Sequence, residues 1–197
     1  MKNGRWVRLL EHASIAALLL SSSAWVAGAQ THDDHMMTAQ QQNPNPQQSA
    51  LVKAVRDATE RFRDASQATK EGYGLLFGCV SGGDFGAMGL HFVNLPLVGD
   101  GEIDPAHPEI ILYEPLPNGR VRITGADFLV LAADWDAKHQ GPPELMGQLF
   151  HFFESPNRFG LPPFYTLHVW AWKDNPNGTF TNWNPDVSCD AFNPRTR

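Results

Sequence analysis

Hydrophobic and polar positions divide the chain into a helical beginning and a longer β-rich part. Ser49 is typical of a helix N-cap, and apolar residues then recur at three- and four-residue spacing: Leu51, Val55, Ala58, Phe62 and Ala65. This spacing predicts an amphipathic helix. Asp64 and Gln67 indicate the start of a second short helix, which Gly72 ends.

From Tyr73 onward, short apolar or alternating runs are separated by Gly, Pro and Asn, which is typical of strands joined by turns. The predicted strands are 75–80, 91–94, 109–113, 121–124, 128–132 and 165–172. Pro117-Asn118-Gly119 predicts a hairpin between the two runs that flank it. Residues 141–163, which prolines bracket, are predicted to form a short helix or an irregular cover.

The predicted fold class is α+β, because helical and strand patterns are segregated and no βαβ alternation appears. We expect one or two N-terminal helices packed on a curved antiparallel sheet of five or six strands, resembling a half-barrel. No internal repeat interrupts this pattern. Residues 50–197 are therefore predicted to form a single globular domain.

The first 29 residues have the pattern of a secretory signal peptide. Lys2, Arg5 and Arg8 form a basic start, 13–27 is apolar and small, and Ala27-Gly28-Ala29 fits the cleavage signal. We therefore predict export to the periplasm or the extracellular space. Residues 30–49 are rich in Gln, Asn and Pro and are predicted to be a disordered leader.

The charge balance restricts the partners that the protein can have. The chain carries 15 Lys and Arg against 21 Asp and Glu, and removal of the basic signal peptide would make it more acidic. This balance argues against nucleic acid and an anionic membrane surface as partners. No second hydrophobic run is long enough to anchor the predicted mature chain in a membrane.

Cys79 and Cys189 are the only two cysteines of the chain. Export would place them in an oxidising compartment, where an even pair favours a disulfide. Such a bond would tie the beginning of the globular domain to its end. Two buried free thiols, or one thiolate ligand, are the alternatives, although the absence of a CxxC spacing argues against a thiolate metal site.

The last predicted strand contains the sharpest candidate for a functional site. Strand alternation places four residues on one face: Thr166, His168, Trp170 and Trp172. Two exposed tryptophans would be unfavourable, so this face is predicted to be covered or to line a cavity. The alternative is a second buried face that contains a hydrogen-bonded histidine.

His91 lies in a second candidate cluster, between the glycines near 86–89 and Asn94. If His91 faces His168, the pair could hold a transition metal, Cu or Zn, with Met88 or Glu114 as a third donor. Structural histidines are the alternative. A further metal signal lies in the leader, where cleavage after Ala29 would expose Gln30-Thr31-His32, a nitrogen set suited to Cu(II) or Ni(II).

Four segments of the chain resemble a widespread family of small exported bacterial proteins that has no established activity. The segments are GAMGLHFVN (86–94), PEIILYE (108–114), LHVWAWKDNPNGTF (167–180) and NWNPDVSC (182–189). The resemblance covers roughly residues 58–189. It implies a single secreted domain with the Cys79–Cys189 pair as a framework, and it assigns no catalytic residue.

These observations support three hypotheses of function. The first is an exported soluble domain that binds a small apolar or aromatic molecule in a pocket of His91, His168, Trp170, Trp172 and Tyr113. The second is a copper-type metal-binding protein or a mononuclear metalloenzyme that uses His91 and His168. The third is an envelope scaffold without a ligand. No nucleophile elbow, phosphate-binding loop or dinucleotide motif favours an enzyme.

Overall fold

The computed structural model describes residues 46–192, so the predicted signal peptide and most of the predicted leader lie outside the described residues. The helices are α1 (Pro46–Thr59), α2 (Ala65–Lys70), α3 (Leu95–Val98) and α4 (Ala132–Asp136). The strands are β1 (Gly74–Ser81), β2 (Ala87–Val93), β3 (Ile110–Pro115), β4 (Val121–Leu131), β5 (Glu144–Leu145), β6 (Gln148–Leu149), β7 (His151–Phe153) and β8 (Phe164–Val169). Two 3₁₀ turns span Glu60–Arg63 and Gly83–Phe85.

Six antiparallel strands form one sheet in the order β1-β2-β3-β4-β8-β7. The sheet is curled like half of a barrel, which confirms the predicted α+β class. The predicted hairpin around Pro117-Asn118-Gly119 is confirmed as well, because it joins β3 to β4. β-Bulges contribute to the curl, since they bend a strand locally; one lies in β1 between Leu76 and Cys79, where Phe77 has a φ of 66°.

Two predictions about strands were wrong. The runs 121–124 and 128–132 belong to a single strand, β4, because the residues between them continue the ladder, as Ala126 opposite Ile111 shows. Residues 141–163 form neither the predicted helix nor a purely irregular cover. They contribute β5, β6 and β7, and β7 pairs with β8 at the edge of the main sheet.

Helix α1 covers one face of the sheet beside β4 and β8. Leu51 and Val55 are buried against Phe128 and Leu167, and this cluster removes their apolar surface from water. The helix begins at Pro46 rather than directly after Ser49. Periodicity of apolar residues identifies the buried stripe of a helix, whereas its first turn carries no apolar residue that would mark the start.

The chain after α1 covers the neighbouring strands on the same face. Phe62 of the first 3₁₀ turn is buried against Tyr73 and Tyr113. Asp64 caps α2 as predicted, because its side chain accepts a hydrogen bond from the Ser66 amide at 3.0 Å. The opposite face of the sheet has its own apolar cluster of five buried residues: Val93, Ile110, Leu112, Leu129 and Phe164.

The predicted disulfide is confirmed: Cys79 of β1 is bonded to Cys189, 110 positions further along the chain. It anchors the segment after β8 to the edge of the sheet. A β-bridge between Ala87 and Asn184 adds a second attachment. Among residues 46–192 no helix is long and apolar enough to cross a membrane.

Candidate metal centre

Three polar side chains meet on the face of the sheet that α1 does not cover. His91 comes from β2, Asp127 from β4 and His168 from β8, and their exposed fractions are 3%, 3% and 2%. One nitrogen or oxygen atom of each lies within 4.8 Å of the other two. Buried ionisable groups are rare unless they are paired or bind a ligand. This group is therefore the candidate functional site of the described residues.

The curl of the sheet brings the two histidines together. β2 and β8 are three places apart in the sheet, which corresponds to about 14 Å in a flat sheet. The ring centroids of His91 and His168 are only 5.8 Å apart. The sheet therefore curls around this face, and His168 reaches His91 across the intervening strands.

His91 is oriented by a neighbouring backbone carbonyl. Its Nδ1 lies 3.2 Å from the carbonyl oxygen of Gly89. Since a carbonyl only accepts hydrogen bonds, we assign the ring proton to Nδ1. This leaves the Nε2 lone pair free, and metal-binding imidazoles in proteins are commonly oriented in this way.

Gly89 has to be glycine in this arrangement. Its φ is +89°, and a Cβ atom at this position would lie 2.3 Å from the carbonyl oxygen of Tyr113. No larger residue fits so close to a neighbouring strand. Gly89 lies two residues before His91. Its backbone conformation therefore positions the carbonyl group that orients the His91 imidazole.

Asp127 links β4 to β8. The Thr166 hydroxyl donates a hydrogen bond of 2.5 Å to Asp127 Oδ1, and Asp127 stands directly opposite His168 in the ladder. The carboxylate oxygen also lies 3.3 Å from Nδ1 of His168. One polar contact therefore fixes the carboxylate beside the imidazole.

His168 is the most unusual group of the site. Within residues 46–192 neither Nδ1 nor Nε2 has a hydrogen-bond partner, although both atoms are buried. The approach to Asp127 is close but lacks hydrogen-bond geometry. Leaving a buried polar atom without a partner costs about 1–3 kcal/mol, and native proteins rarely do so without a functional reason. A bound metal ion would satisfy one of these nitrogens.

The burial of the site sets the protonation state of all three donors. It lowers the pKa of His91 to about 4 and that of His168 to about 3. It raises the pKa of Asp127 to about 6, against the opposing charge of His91 and the hydrogen bond from Thr166. At pH 7 the site therefore contains two neutral imidazoles and one carboxylate, which are the forms that bind metal ions.

A small cavity of about 20 Å³ adjoins the three donors. Such a volume has room for about one water molecule or one ion. Apart from the donors and Thr166, its walls are apolar: Phe77, Met88, Ile110, Leu129, Phe153, Phe159, Leu161 and Phe164. Met88, predicted as a third donor, therefore lies at the cavity.

Glu114, the other predicted third donor, does not lie at this cavity. Its carboxylate is buried and forms ion pairs with Arg122 and Lys173. These two cations neutralise the negative charge of the Glu114 carboxylate, which would otherwise attract a metal ion. The prediction of Glu114 as a ligand was therefore wrong, and Asp127 takes its place in the group.

The three aromatic residues predicted for a ligand pocket do not line the cavity. Tyr113 lies on the opposite face of the sheet, where its hydroxyl donates to the carbonyl of Phe62 at 2.7 Å. The side chain of Trp172 packs among the clusters on that face, and its Nε1 donates to Thr59 at 2.9 Å. The predicted common face of His168 and Trp172 is therefore wrong.

The reason is a tight turn directly after β8. The strand ends at Val169, and the Ala171 amide donates to the carbonyl of Val169 at 2.8 Å. This i→i+2 contact is a γ-turn and interrupts strand alternation. Trp170 stays near His168, with ring centroids 6.3 Å apart, but it packs beside Ala87 and Val187.

Sequence reasoning missed Asp127. It lies within 125–127, the gap between the two strands that we predicted in place of β4. A lone acidic residue inside the apolar run ADFLVL was the available signal, because a charged side chain in a buried strand needs a partner. The leader site predicted at Gln30-Thr31-His32 lies outside the described residues.

No protein-family model matches the chain, and neither curated proteins nor solved structures yield a match. The resemblance to a family of exported bacterial proteins therefore stays a prediction. What the site can bind is therefore inferred from the side chains of His91, Asp127 and His168 alone.

A further buried carboxyl, that of Glu109, lies outside the group of three donors. It accepts a hydrogen bond from the Leu129 amide at 3.1 Å, and burial raises its pKa from 4.5 to about 8. The folded protein therefore holds a proton on Glu109 between about pH 4.5 and pH 8, whereas the unfolded chain has lost it.

Glu109 is expected to make the folded protein less stable as the pH rises through this range. Because the folded state binds the proton more tightly, the free energy of unfolding falls between pH 6 and pH 9, by about 2 kcal/mol. Glu109→Gln should remove this loss, as measured by urea unfolding at both pH values. Glu102→Gln, at an exposed position, is the matched control. An unchanged pH dependence in Glu109→Gln would contradict the assignment.

Proposed function

We propose that this domain binds one transition metal ion between His91, Asp127 and His168. The observation that carries the proposal is His168, whose two buried ring nitrogens have no hydrogen-bond partner among residues 46–192 and lie beside a carboxylate and a second imidazole. A metal ion would compensate the cost of burying these groups together. The neutral state of both imidazoles at pH 7 favours binding without prior loss of protons.

The donor set narrows the choice of metal. Two imidazole nitrogens and one carboxylate oxygen suit a borderline divalent ion such as Zn²⁺ or Cu²⁺. Hard cations such as Ca²⁺ and Mg²⁺ require more oxygen donors than this face offers. The thioether of Met88 at the cavity is a soft donor that copper accepts more readily than zinc.

The volume of the cavity favours the binding of a metal ion over the binding of an organic molecule and over catalysis on a substrate. About 20 Å³ holds an ion, whereas pockets for small organic ligands have volumes of roughly 300–1,000 Å³. The same limit argues against a reaction that needs a substrate beside the metal. We therefore propose a binding role. Binding of an apolar or aromatic molecule stays a prediction without support from Trp170, Trp172 or Tyr113.

We also propose that the protein works outside the cytoplasm. The N-terminal pattern of residues 1–29 supports export, and the Cys79–Cys189 disulfide fits an oxidising compartment. An N-terminal metal site at His32 would form only after cleavage. Any metal measurement must therefore use protein that was exported through its own signal.

Metal content after saturation with Zn²⁺ or Cu²⁺ and exhaustive dialysis tests the proposal. In the His32→Ala background, which removes the predicted leader site, we expect about one equivalent, and less than a tenth of an equivalent once His168→Ala or Asp127→Asn is added. Asp127→Asn keeps the size of the side chain and guards against loss of the fold, which circular dichroism would detect. His107→Ala, at an exposed histidine, is the matched control.

Two outcomes would overturn the proposal. The first is a His32→Ala protein that retains no metal, and the second is a folded variant with both His32→Ala and His168→Ala that still retains one equivalent. Metal that is lost only in His32→Ala would also overturn it, because the ion would then belong to the leader.

A further inference from the structure

A third histidine stands beside the candidate metal centre, on the edge strand of the sheet. His151 belongs to β7 and pairs with Thr166 of β8. Its side chain is exposed, in contrast to those of the three donors. Phe153, two residues further along β7, lines the cavity. Because residues two apart in a strand share a face, His151 lies on the face of the metal centre.

The position of His151 brings it close to His168. Thr166 and His168 are two apart in β8, so His151 and His168 are diagonal neighbours, about 7–8 Å apart at their backbones. Their electrostatic coupling agrees with this geometry. Burial dominates the low pKa of His168, and the charge of His151 lowers that pKa further. Burial raises the pKa of Asp127, and His151 lowers that pKa, after the larger effects of His91 and Thr166.

A metal ion has to pass an apolar wall to reach the three donors. The three donors are almost fully buried, and the remaining wall is apolar except for Thr166. A hydrated cation loses much hydration energy in an apolar environment. A protein ligand that replaces water at the rim would lower this barrier.

We propose that His151 is the entrance ligand of the metal centre. This inference rests on the proposed function. A hydrated Cu²⁺ or Zn²⁺ ion exchanges one bound water for a ring nitrogen of His151 and releases the water to solvent. The bond to His151 then breaks as the bond to His168 forms, and Asp127 balances the charge. No electron is transferred, and release follows the same steps in reverse.

The kinetics of Cu²⁺ binding test this inference. Trp170 lies near His168, so quenching of tryptophan fluorescence by Cu²⁺ reports occupancy in stopped-flow experiments. The full chain with His32→Ala serves as the background, which removes the predicted leader site. We expect His151→Ala to slow association at least tenfold and to slow release to a chelator by a similar factor. The dissociation constant should then change by less than about threefold, because a ligand used only in passage lowers the barrier in both directions.

Two further variants complete the design. His107→Ala removes an exposed histidine that does not influence the pKa of the donors, and it should leave both rates unchanged. His151→Glu keeps a metal-binding group at the same place and should retain fast association. Slow association in His151→Glu would overturn the inference.

Other outcomes separate this inference from the proposed function. Equal rates in His151→Ala and the background protein would overturn the inference alone. A dissociation constant raised tenfold through faster release would also overturn it, because His151 would then be a permanent ligand. A background protein that binds neither Cu²⁺ nor Zn²⁺ would overturn the proposed function itself.

Discussion

Replacing Gly125 with alanine is expected to lower the free energy of unfolding by at least about 3 kcal/mol. Gly125 lies in β4, beside the end of β8 and the γ-turn that follows it. A Cβ atom would lie 2.0 Å from the carbonyl oxygen of Val169 and 3.1 Å from the Ala171 amide nitrogen. The obstacle is backbone, which cannot move aside as a flexible side chain can. Denaturant unfolding of the variant measures this loss.

The same substitution should also weaken metal binding. Val169 directly follows His168, so a displaced Val169 carbonyl would shift the imidazole away from Asp127. Gly74→Ala is the matched control, because Gly74 also lies in a strand, but none of the described residues has an atom within 4 Å of the added Cβ. A fully stable Gly125→Ala variant would show that the backbone at Val169 moves aside to admit the Cβ atom.

Removing the Cys79–Cys189 disulfide is expected to have the largest effect on stability, about 4 kcal/mol. The bond closes a loop of 110 positions, and the chain-entropy model gives about 4.7 kcal/mol for a loop of roughly this length. Cys189 also packs against the cluster of Ala87, Trp170 and Val187, so its release would loosen the segment after β8. Unfolding in denaturant with and without a reductant measures the effect.

The double variant Cys79→Ala and Cys189→Ala separates the crosslink from the thiols. It should resemble the reduced wild type, and its unfolding should depend more steeply on denaturant, because the unfolded chain exposes more surface. In the variant itself, addition of the reductant should change nothing. A loss below about 1 kcal/mol would mean that contacts such as the bridge from Ala87 to Asn184 hold the segment without the bond.

The candidate metal centre lowers the stability of the fold, because it buries polar groups. His91, Asp127 and His168 stand on the face that also carries the apolar cluster of Leu112 and Leu129. Apolar side chains of similar size would avoid the desolvation of three polar groups. Buried polar groups without hydrogen-bond partners are expected mainly at functional sites. For this reason His168, which has no such partner among the described residues, is stronger evidence for a site than the apolar cavity around it.

The sequence by itself determined much of the local structure. The cap at Asp64, the hairpin at Pro117-Asn118-Gly119 and the side of β8 that carries His168 follow from turn chemistry and alternation. Each of these depends on residues within a few positions of one another. The disulfide was predictable for another reason, since the chain offers only one pair of cysteines.

Only the tertiary structure decided which residues form the site. Alternation assigns a residue to a face, but it does not say that β8 pairs with β4 and β7, or that His91 reaches His168 across the two intervening strands. Alternation also fails where the chain leaves the ladder, as the γ-turn from Val169 to Ala171 shows. Strand order, curl and such turns depend on the packing of the whole domain. Contacts between distant segments, including those that place Asp127 beside the two histidines, therefore form only when the whole sheet is assembled.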